Sequence, residues 1–474
     1  MRKGKKLVSS GIKLLEVKIA MLSMYSVLQR IEEGVFMEER EFDMRIYSTV
    51  KRLVKEFDIV FDRDYIVSVD SSLAKSVFEA GFQLALDVGM YVVDARRVVK
   101  FSEEELKYAI KSSPKEIIVG EGRDSRILYA RKIEDQRKPI IMGGQAGAPI
   151  PEEFYYEMAL SYMKELLIDT INHGGLAQVK GIDVRTRSPA EALAAIHELM
   201  YLRSAALSAG RPGIHLLAGE SSVSCIGDLA IQKPELLRRS DAHLVPILND
   251  LKTDYDRLIK AYTFKAYGGF NVTLVDPVIG GFLGSPEGVA IGFIASFILG
   301  RAAYFSDYHI IHPIHPKYVS TTTPETMWLL NIVGQAIGDT FILMGDVWTS
   351  NGAGSYTIFH EIVANTIVNV VTGSHPLGVC ATNGKYPNAS GLEARFMAQI
   401  AYAATRFSRG DANEIVKVFL KKYYPHSMEK PDIGKPFPEL YNMKTIEPQK
   451  WWLELYKKAV KEVEDHGIKI ETFE

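Results

Sequence analysis

A chain of 474 residues that is 47% apolar and 24% charged is long enough to bury a large core, and too evenly mixed to be disordered or fibrous. Its 56 basic and 58 acidic residues leave a formal charge of -2, which gives no field for nucleic acid or for an anionic membrane surface. Two cysteines, Cys225 and Cys380, cannot staple a chain of this size and read as thiols of a reducing compartment.

The first residues, MRKGKK, are basic and an apolar run follows, but Glu16 and Lys18 interrupt it and no small-residue cleavage site comes after. We expect an amphipathic helix there and a cytoplasmic protein; no segment supplies the roughly 20 uninterrupted apolar residues of a membrane span. Helical periodicity marks Leu14 to Ile31 and Glu38 to Phe57. Tyr65 to Val69 alternates like a strand and leads into a helix from Ser71 to Asp87. Met90 to Asp94 and Arg97 to Phe101 suggest a hairpin. A helix then runs from Ser102 to Lys111, with Glu103, Glu104 and Glu105 in the first turn where the helix dipole favours them. Glu116 to Val119 and Ile127 to Arg131 complete an accessory region, residues 1–130.

From residue 131 to 410 the pattern becomes a regular alternation. Eight β-type runs (Pro139 to Met142, Asp169 to Asn172, Ile214 to Leu217, His243 to Leu248, Asn271 to Val275, Tyr308 to Pro313, Thr340 to Met344, Leu377 to Ala381) are each followed by a helix-length segment. This predicts an α/β fold, a (β/α)8 TIM barrel of ordinary size. A doubly wound sheet is the competing arrangement; against it, no GxGxxG follows the first run. Residues 411–474 read as a helical extension that packs on the barrel or on a neighbouring subunit.

In such a barrel the chemistry sits in the loops after the strands. GRPGIHLLAGESSVSCIG, Gly210 to Gly227, brings Glu220, Ser221, Ser222 and Ser224 just past the third strand, where the serines can equally cap the next helix. GGQAGAPI carries Gly143, Gly144, Gln145 and Gly147, either a tight turn or a surface cleared for a flat partner. Asp276 and Glu287 follow the fifth strand, and Glu287 also fits a plain helix-start role. His312 and His315, three apart in an extended run, point apart, so we expect no metal site. Asp346, Trp348 and Asn351 sit around the seventh strand end, with Asn365 in the helix beyond it. Composition and spacing lead to a barrel enzyme with a broad mouth and no further.

Several separate motifs in fixed order carry a resemblance. They are ALDVGMYVVDARRVVK, GEGRD, KPIIMGGQAGAPI, DTINHG, AGRPG followed by GESSVS, SDAH, ETM, ASGLEARFMAQIA, FPELY and MKTIEP. Over residues from about 25 to the end the chain resembles the archaeal monomethylamine:corrinoid methyltransferases. The resemblance implies a barrel in a homo-oligomer, hexameric forms included, that passes a methyl group to Co(I) of a separate small corrinoid protein. It implies no permanently bound cofactor. That family works through pyrrolysine, whose imine captures the amine, and the position matching it is Leu217 in this chain. Leucine offers no electrophilic carbon. The acidic and amide groups around pyrrolysine match Glu220, Glu287 and, in place of a glutamine, Asn365.

The resemblance therefore implies a corrinoid-dependent methyltransferase without the special residue. Glu220 and Glu287 would orient a methylated amine, permanently cationic forms such as a quaternary amine included. Gly143, Gly144, Gln145 and Gly147 would accept the corrinoid face, and Tyr304, Phe305, Tyr308 and Trp348 are candidate cation-facing aromatics or plain core. Two alternatives stand beside this: true monomethylamine use with Glu220 or a histidine as proton donor, and a non-catalytic scaffold that docks a corrinoid protein.

Overall fold

A computed structural model describes residues 22–218, 223–247 and 250–471. Eight parallel strands close on themselves: β1 (Met142–Gly143), β2 (Thr170–Asn172), β3 (His215–Ala218), β4 (Ala242–Leu244), β5 (Phe270–Val275), β6 (Tyr308–Ile311), β7 (Leu343–Val347) and β8 (His375–Gly378). The barrel helices are α1 (Glu152–Met163), α2 (Pro189–Ser208), α3 (Cys225–Ile231), α4 (Tyr255–Tyr267), α5 (Pro286–Tyr304), α6 (Pro324–Ile337), α7 (Thr357–Val371) and α8 (Gly391–Ala404). The expected TIM barrel is the observed one.

Several strand bounds move, each for a local reason. β1 begins at Met142, later than Pro139, because the Ile140 N–H donates to His375 Nδ1 and the Ile141 N–H to Asp169 Oδ2, so neither N–H enters the ladder. β7 begins at Leu343, not Thr340, because the Thr340 and Phe341 N–H groups both donate to the Ile337 carbonyl and prolong the end of α6. Tyr65 to Val69 is not a strand: the Val67 N–H donates to Asn413 Oδ1, and the Ser68 carbonyl accepts from Gln335 Nε2. Lys252–Thr253 forms a short strand parallel to Tyr91–Val92, and α4 starts just beyond it at Tyr255. The N-terminal helix is described as Met24–Glu33; the earlier part of its expected span lies outside the described residues.

Period-two alternation places Met142, Leu217, Ala242, Leu244, Val272, Tyr308, Ile310, Met344 and Leu377 in one interior cluster. Val119 and Leu128, from the antiparallel pair Glu116–Val119 and Arg126–Tyr129, join that cluster. The outer core is continuous from Val27 to Ile470, so the N-terminal helices, barrel helices and C-terminal extension share one apolar interior. Helix Ser71–Val88 lies so close to α5 that a Cβ on Gly81 would meet Ile294 Cβ at 2.3 Å. This contact explains why α5, long and apolar enough to cross a membrane by composition, is 89% buried within the fold. The C-terminal helix Lys450–Asp465 is pinned to α7 through Glu462, which accepts from Tyr356 (2.6 Å) and Lys422 (2.7 Å) and lies 3.0 Å from His360 Nε2.

Candidate active site

The inward alternation of three adjacent strands continues one step past their apolar residues. Leu274 is followed inward by Asp276, Ile310 by His312, and Met344 by Asp346 and then Trp348. These side chains meet at the C-terminal mouth around a cavity of about 250 Å³. Apolar walls come from Leu244, Leu274, Ile310 and Ile314, with Ala146, Gly147 and Asn172 on the β1 and β2 side. The volume lies below the roughly 300–1,000 Å³ that drug-sized ligands fill. Among the described residues no Lys or Arg lines it.

The polar groups are arranged around His312. Its Nδ1 lies 2.6 Å from Asp346 Oδ2; with Asp346 ionised and the ring neutral, the Nδ1–H donates to the carboxylate and Nε2 is the acceptor. The ring stands edge-on to the Trp348 indole, centroids 4.1 Å apart at 79°. Burial pushes the Asp346 carboxyl above the ordinary aspartate range, and the His312 contact works against that shift. Burial also raises Asp276, whose carboxyl is stabilised by His312 and opposed by Asp346. Asn172 Oδ1, His312 Nε2 and Asp346 Oδ1 are buried acceptors with no hydrogen-bond partner among the described residues, and the Trp348 Nε1–H is a buried donor in the same state. Buried acceptors left unmatched cost about 1–3 kcal/mol each, so the site is built for a ligand that donates several hydrogen bonds or carries positive charge.

Of the residues singled out from sequence, the structure brings few together here. Glu220 lies outside the described residues. Glu287 sits in the first turn of α5 and accepts the Phe61 N–H at 3.0 Å, in the packing of the N-terminal region; it is absent from the cavity lining. Asn365 is fully buried in α7 and donates to the Thr321 carbonyl and Oγ1 at 2.8 and 2.9 Å. Thr321 Oγ1 in turn donates to the Asp346 carbonyl and accepts the Trp348 N–H, so Asn365 reaches the site through the backbone of β7. Leu217 faces the barrel interior beside Asn172 and Ala242, buried in the cluster beneath the cavity.

The glycine loop is filled by protein atoms. A Cβ on Gly143 would meet Ile168 Cγ2 at 2.7 Å, and one on Gly144 would fall 1.6 Å from the Asn172 carbonyl oxygen. Gln145 is buried, and of these four residues Gly147 alone reaches the cavity, beside Ala146. Among the aromatics, Trp348 alone lines it. The Tyr304 hydroxyl donates to Thr253 Oγ1 on the outer side, Phe305 ends α5 in a left-handed turn, and the Tyr308 hydroxyl lies 3.2 Å from His215 Nε2, lower in the barrel. Asp276, His312 and Asp346 were visible among the strand-end residues. The signal that separates them from Glu287 is their parity with the inward apolar positions.

A family model described as monomethylamine methyltransferase MtmB matches residues 22–468. Monomethylamine methyltransferase MtmB2 of Methanosarcina acetivorans is 30% identical over 449 residues, covering 94% of this chain and 98% of the relative. MtmB3 of Methanosarcina barkeri (strain Fusaro) is 31% identical over 432 residues, covering 90% and 93%. The crystal structure of the Methanosarcina barkeri monomethylamine methyltransferase superposes with a TM-score of 0.91 at 28% identity, over 95% of this chain and 99% of that one. A crystal structure of the hydroxylamine complex of MtmB superposes equally well.

Proposed function

Because the chain belongs to the monomethylamine methyltransferase MtmB family, we propose that it transfers the methyl group of a small methylated ammonium ion to the corrinoid of a partner protein. The observation that carries the reading is the cavity itself: two carboxylates, a histidine acceptor and an amide oxygen converge on about 250 Å³, with no opposing cation among the described residues of its lining.

An alkylammonium has a pKa near that of lysine, about 10.4, and enters the site protonated. Asp276 and Asp346 supply countercharge, while His312 Nε2 and Asn172 Oδ1 accept N–H bonds. Holding the protons on nitrogen is the useful act. When the C–N bond breaks, its electron pair stays with nitrogen, and the departing group is a neutral amine only if the ammonium kept its proton. Removing that proton to His312 would leave an amide anion as leaving group. The corrinoid, when docked, supplies a low-valent cobalt nucleophile that receives the methyl group. Small apolar residues at the mouth, Gly147, Pro149, Gly175, Leu176, Ala177 and Val223, line an adjoining cleft of about 360 Å³ that shares Gly147 with the cavity and would hold one corrinoid face.

In this reading Leu217 replaces the covalent capture of the amine with ionic capture by the aspartates. The unmatched acceptors favour a nitrogen that carries hydrogens over a quaternary one, because a site built for N–H donors rejects a ligand lacking them. A substrate with a carboxylate meets two aspartates and, among the described residues, no cation in the lining, and is disfavoured. Assembly as a homo-oligomer and a cytoplasmic location, both implied by the family, belong to the same proposal. The test uses the purified chain with its reduced corrinoid protein, offered methylammonium, dimethylammonium, trimethylammonium and tetramethylammonium in turn. Methylation of the corrinoid from methylammonium is the expected result. Stable docking of the corrinoid protein with no transfer from any of the four would overturn the reading and leave a scaffold.

A further inference from the structure

Trp348 is the largest side chain on the cavity wall, and it is fixed from several directions at once. Its benzo edge rests on Gly147, where a Cβ would lie 2.0 Å from Cζ2 and 2.9 Å from Cε2 and Cη2. Gly147 also has φ +88, a conformation that a side chain strains. At another edge of the indole, a Cβ on Gly384 would come within 3.5 Å of Cζ3. The His312 ring stands against the indole at 4.1 Å. The Trp348 backbone is clamped as well: its N–H donates to Thr321 Oγ1 at 2.9 Å, and its carbonyl accepts the Thr321 N–H at 3.0 Å.

A wall held this way cannot retreat to admit a larger ligand. Each methyl group added to the substrate nitrogen needs volume beside Trp348 and removes an N–H that His312, Asp346 or Asn172 could accept. We propose that Trp348, wedged between Gly147 and His312, is the specificity-determining residue that limits how many methyl groups the substrate nitrogen carries. This rests on the methylated-ammonium reading above. Gly147 is the matching positioning residue: it leaves the slot that the indole fills.

Calorimetric titration of the full chain with methylammonium, dimethylammonium and trimethylammonium chlorides tests this without the corrinoid partner. In the wild type each added methyl should weaken binding by about 10-fold or more, the low end of what one extra carbon costs in a tight pocket. Trp348→Phe lacks the benzo edge and should narrow the gap between methylammonium and dimethylammonium by about 10-fold. Gly147→Ala drives the indole toward His312 and should weaken all three ions by about 10-fold or more. The double variant should recover binding, because phenylalanine has no atom at Cζ2; general destabilisation from the alanine would give no such recovery.

A wild type that binds these ions, paired with a folded Trp348→Phe of unchanged preference, overturns the wall alone. A Gly147→Ala that binds like wild type does the same, and decides the matter if the Phe variant fails to fold. A wild type that binds none of the three ions overturns the functional reading and the wall together.

Discussion

Replacing Asp346 by Asn changes two things at one position. The cavity loses a negative charge, and the partner of His312 Nδ1, 2.6 Å away, changes from an acceptor into an amide able to donate. An amide donor on Nδ1 puts the ring proton on Nε2, which then presents N–H toward the bound cation where a lone pair had been. A hydrogen bond to a charged group contributes about 1.5–3 kcal/mol. At about 1.4 kcal/mol per decade, losing one raises the Kd for methylammonium about 10- to 150-fold. Stability should move the other way or stay level. Burial raises the folded-state pKa of Asp346, so the penalty for its ionised form is absent below the ordinary aspartate range and sets in as pH rises through the raised value. A neutral amide removes that penalty near pH 7. Calorimetric titration and thermal unfolding of Asp346→Asn, side by side, read both effects. A Kd within about threefold of wild type, or an affinity loss accompanied by a matching loss of stability, would refute the assignment of Asp346 to cation binding.

Methylammonium affinity should weaken as pH falls into the raised titration range of Asp276 and Asp346, since both carboxyls are pushed above the usual 3.8 by burial and a cation favours their ionised forms; a Kd that stays flat from pH 8 down to pH 4 would contradict this. Asn365→Ala should cost about 1–3 kcal/mol in unfolding measurements, and it should also raise KM for methylammonium, because the freed Thr321 no longer fixes Asp346 and Trp348. Destabilisation with an unchanged KM would confine Asn365 to the core. Although burial alone would raise its pKa, donors from Lys422, Tyr356 and His360 hold Glu462 at about 2, so its stabilising contribution is present above the ordinary glutamate range and is lost as pH falls from about 4.5 toward 2. Glu462→Gln should therefore lower stability by about 1–3 kcal/mol at pH 7, with the difference from wild type disappearing in acid urea titrations.

The barrel was legible because its evidence is repeated. Eight apolar runs with a helix after each leave few alternatives, and an error of a few residues at Thr340 or Pro139 does not change the count. The strand bounds themselves were less legible, since β1 and β7 are trimmed by hydrogen bonds to His375, Asp169 and the end of α6, partners distant in sequence or hidden in a helix terminus. The Tyr65 to Val69 segment shows the same effect: alternation matched a strand, but its backbone is satisfied by side chains from Gln335 and Asn413.

The site was less legible than the fold because proximity to a strand end does not say which way a side chain points. Glu287 looked suitable by charge and by its place after the fifth strand, yet a residue in the first turn of α5 lies outside the ring and meets Phe61. Asp276 is eleven residues earlier and keeps the parity of Val272 and Leu274, which directs it inward. The same counting selects His312 from Tyr308 and Ile310, and Asp346 and Trp348 from Met344. In a closed barrel every second residue points to the axis, so an acid that continues an inward apolar row is a stronger candidate than one in a loop of richer composition. That rule also accounts for Leu217: it has inward parity, and at that place the chain puts a hydrocarbon against the interior cluster, while in the proposed reading the charge for the substrate comes from Asp276 and Asp346 on other strands.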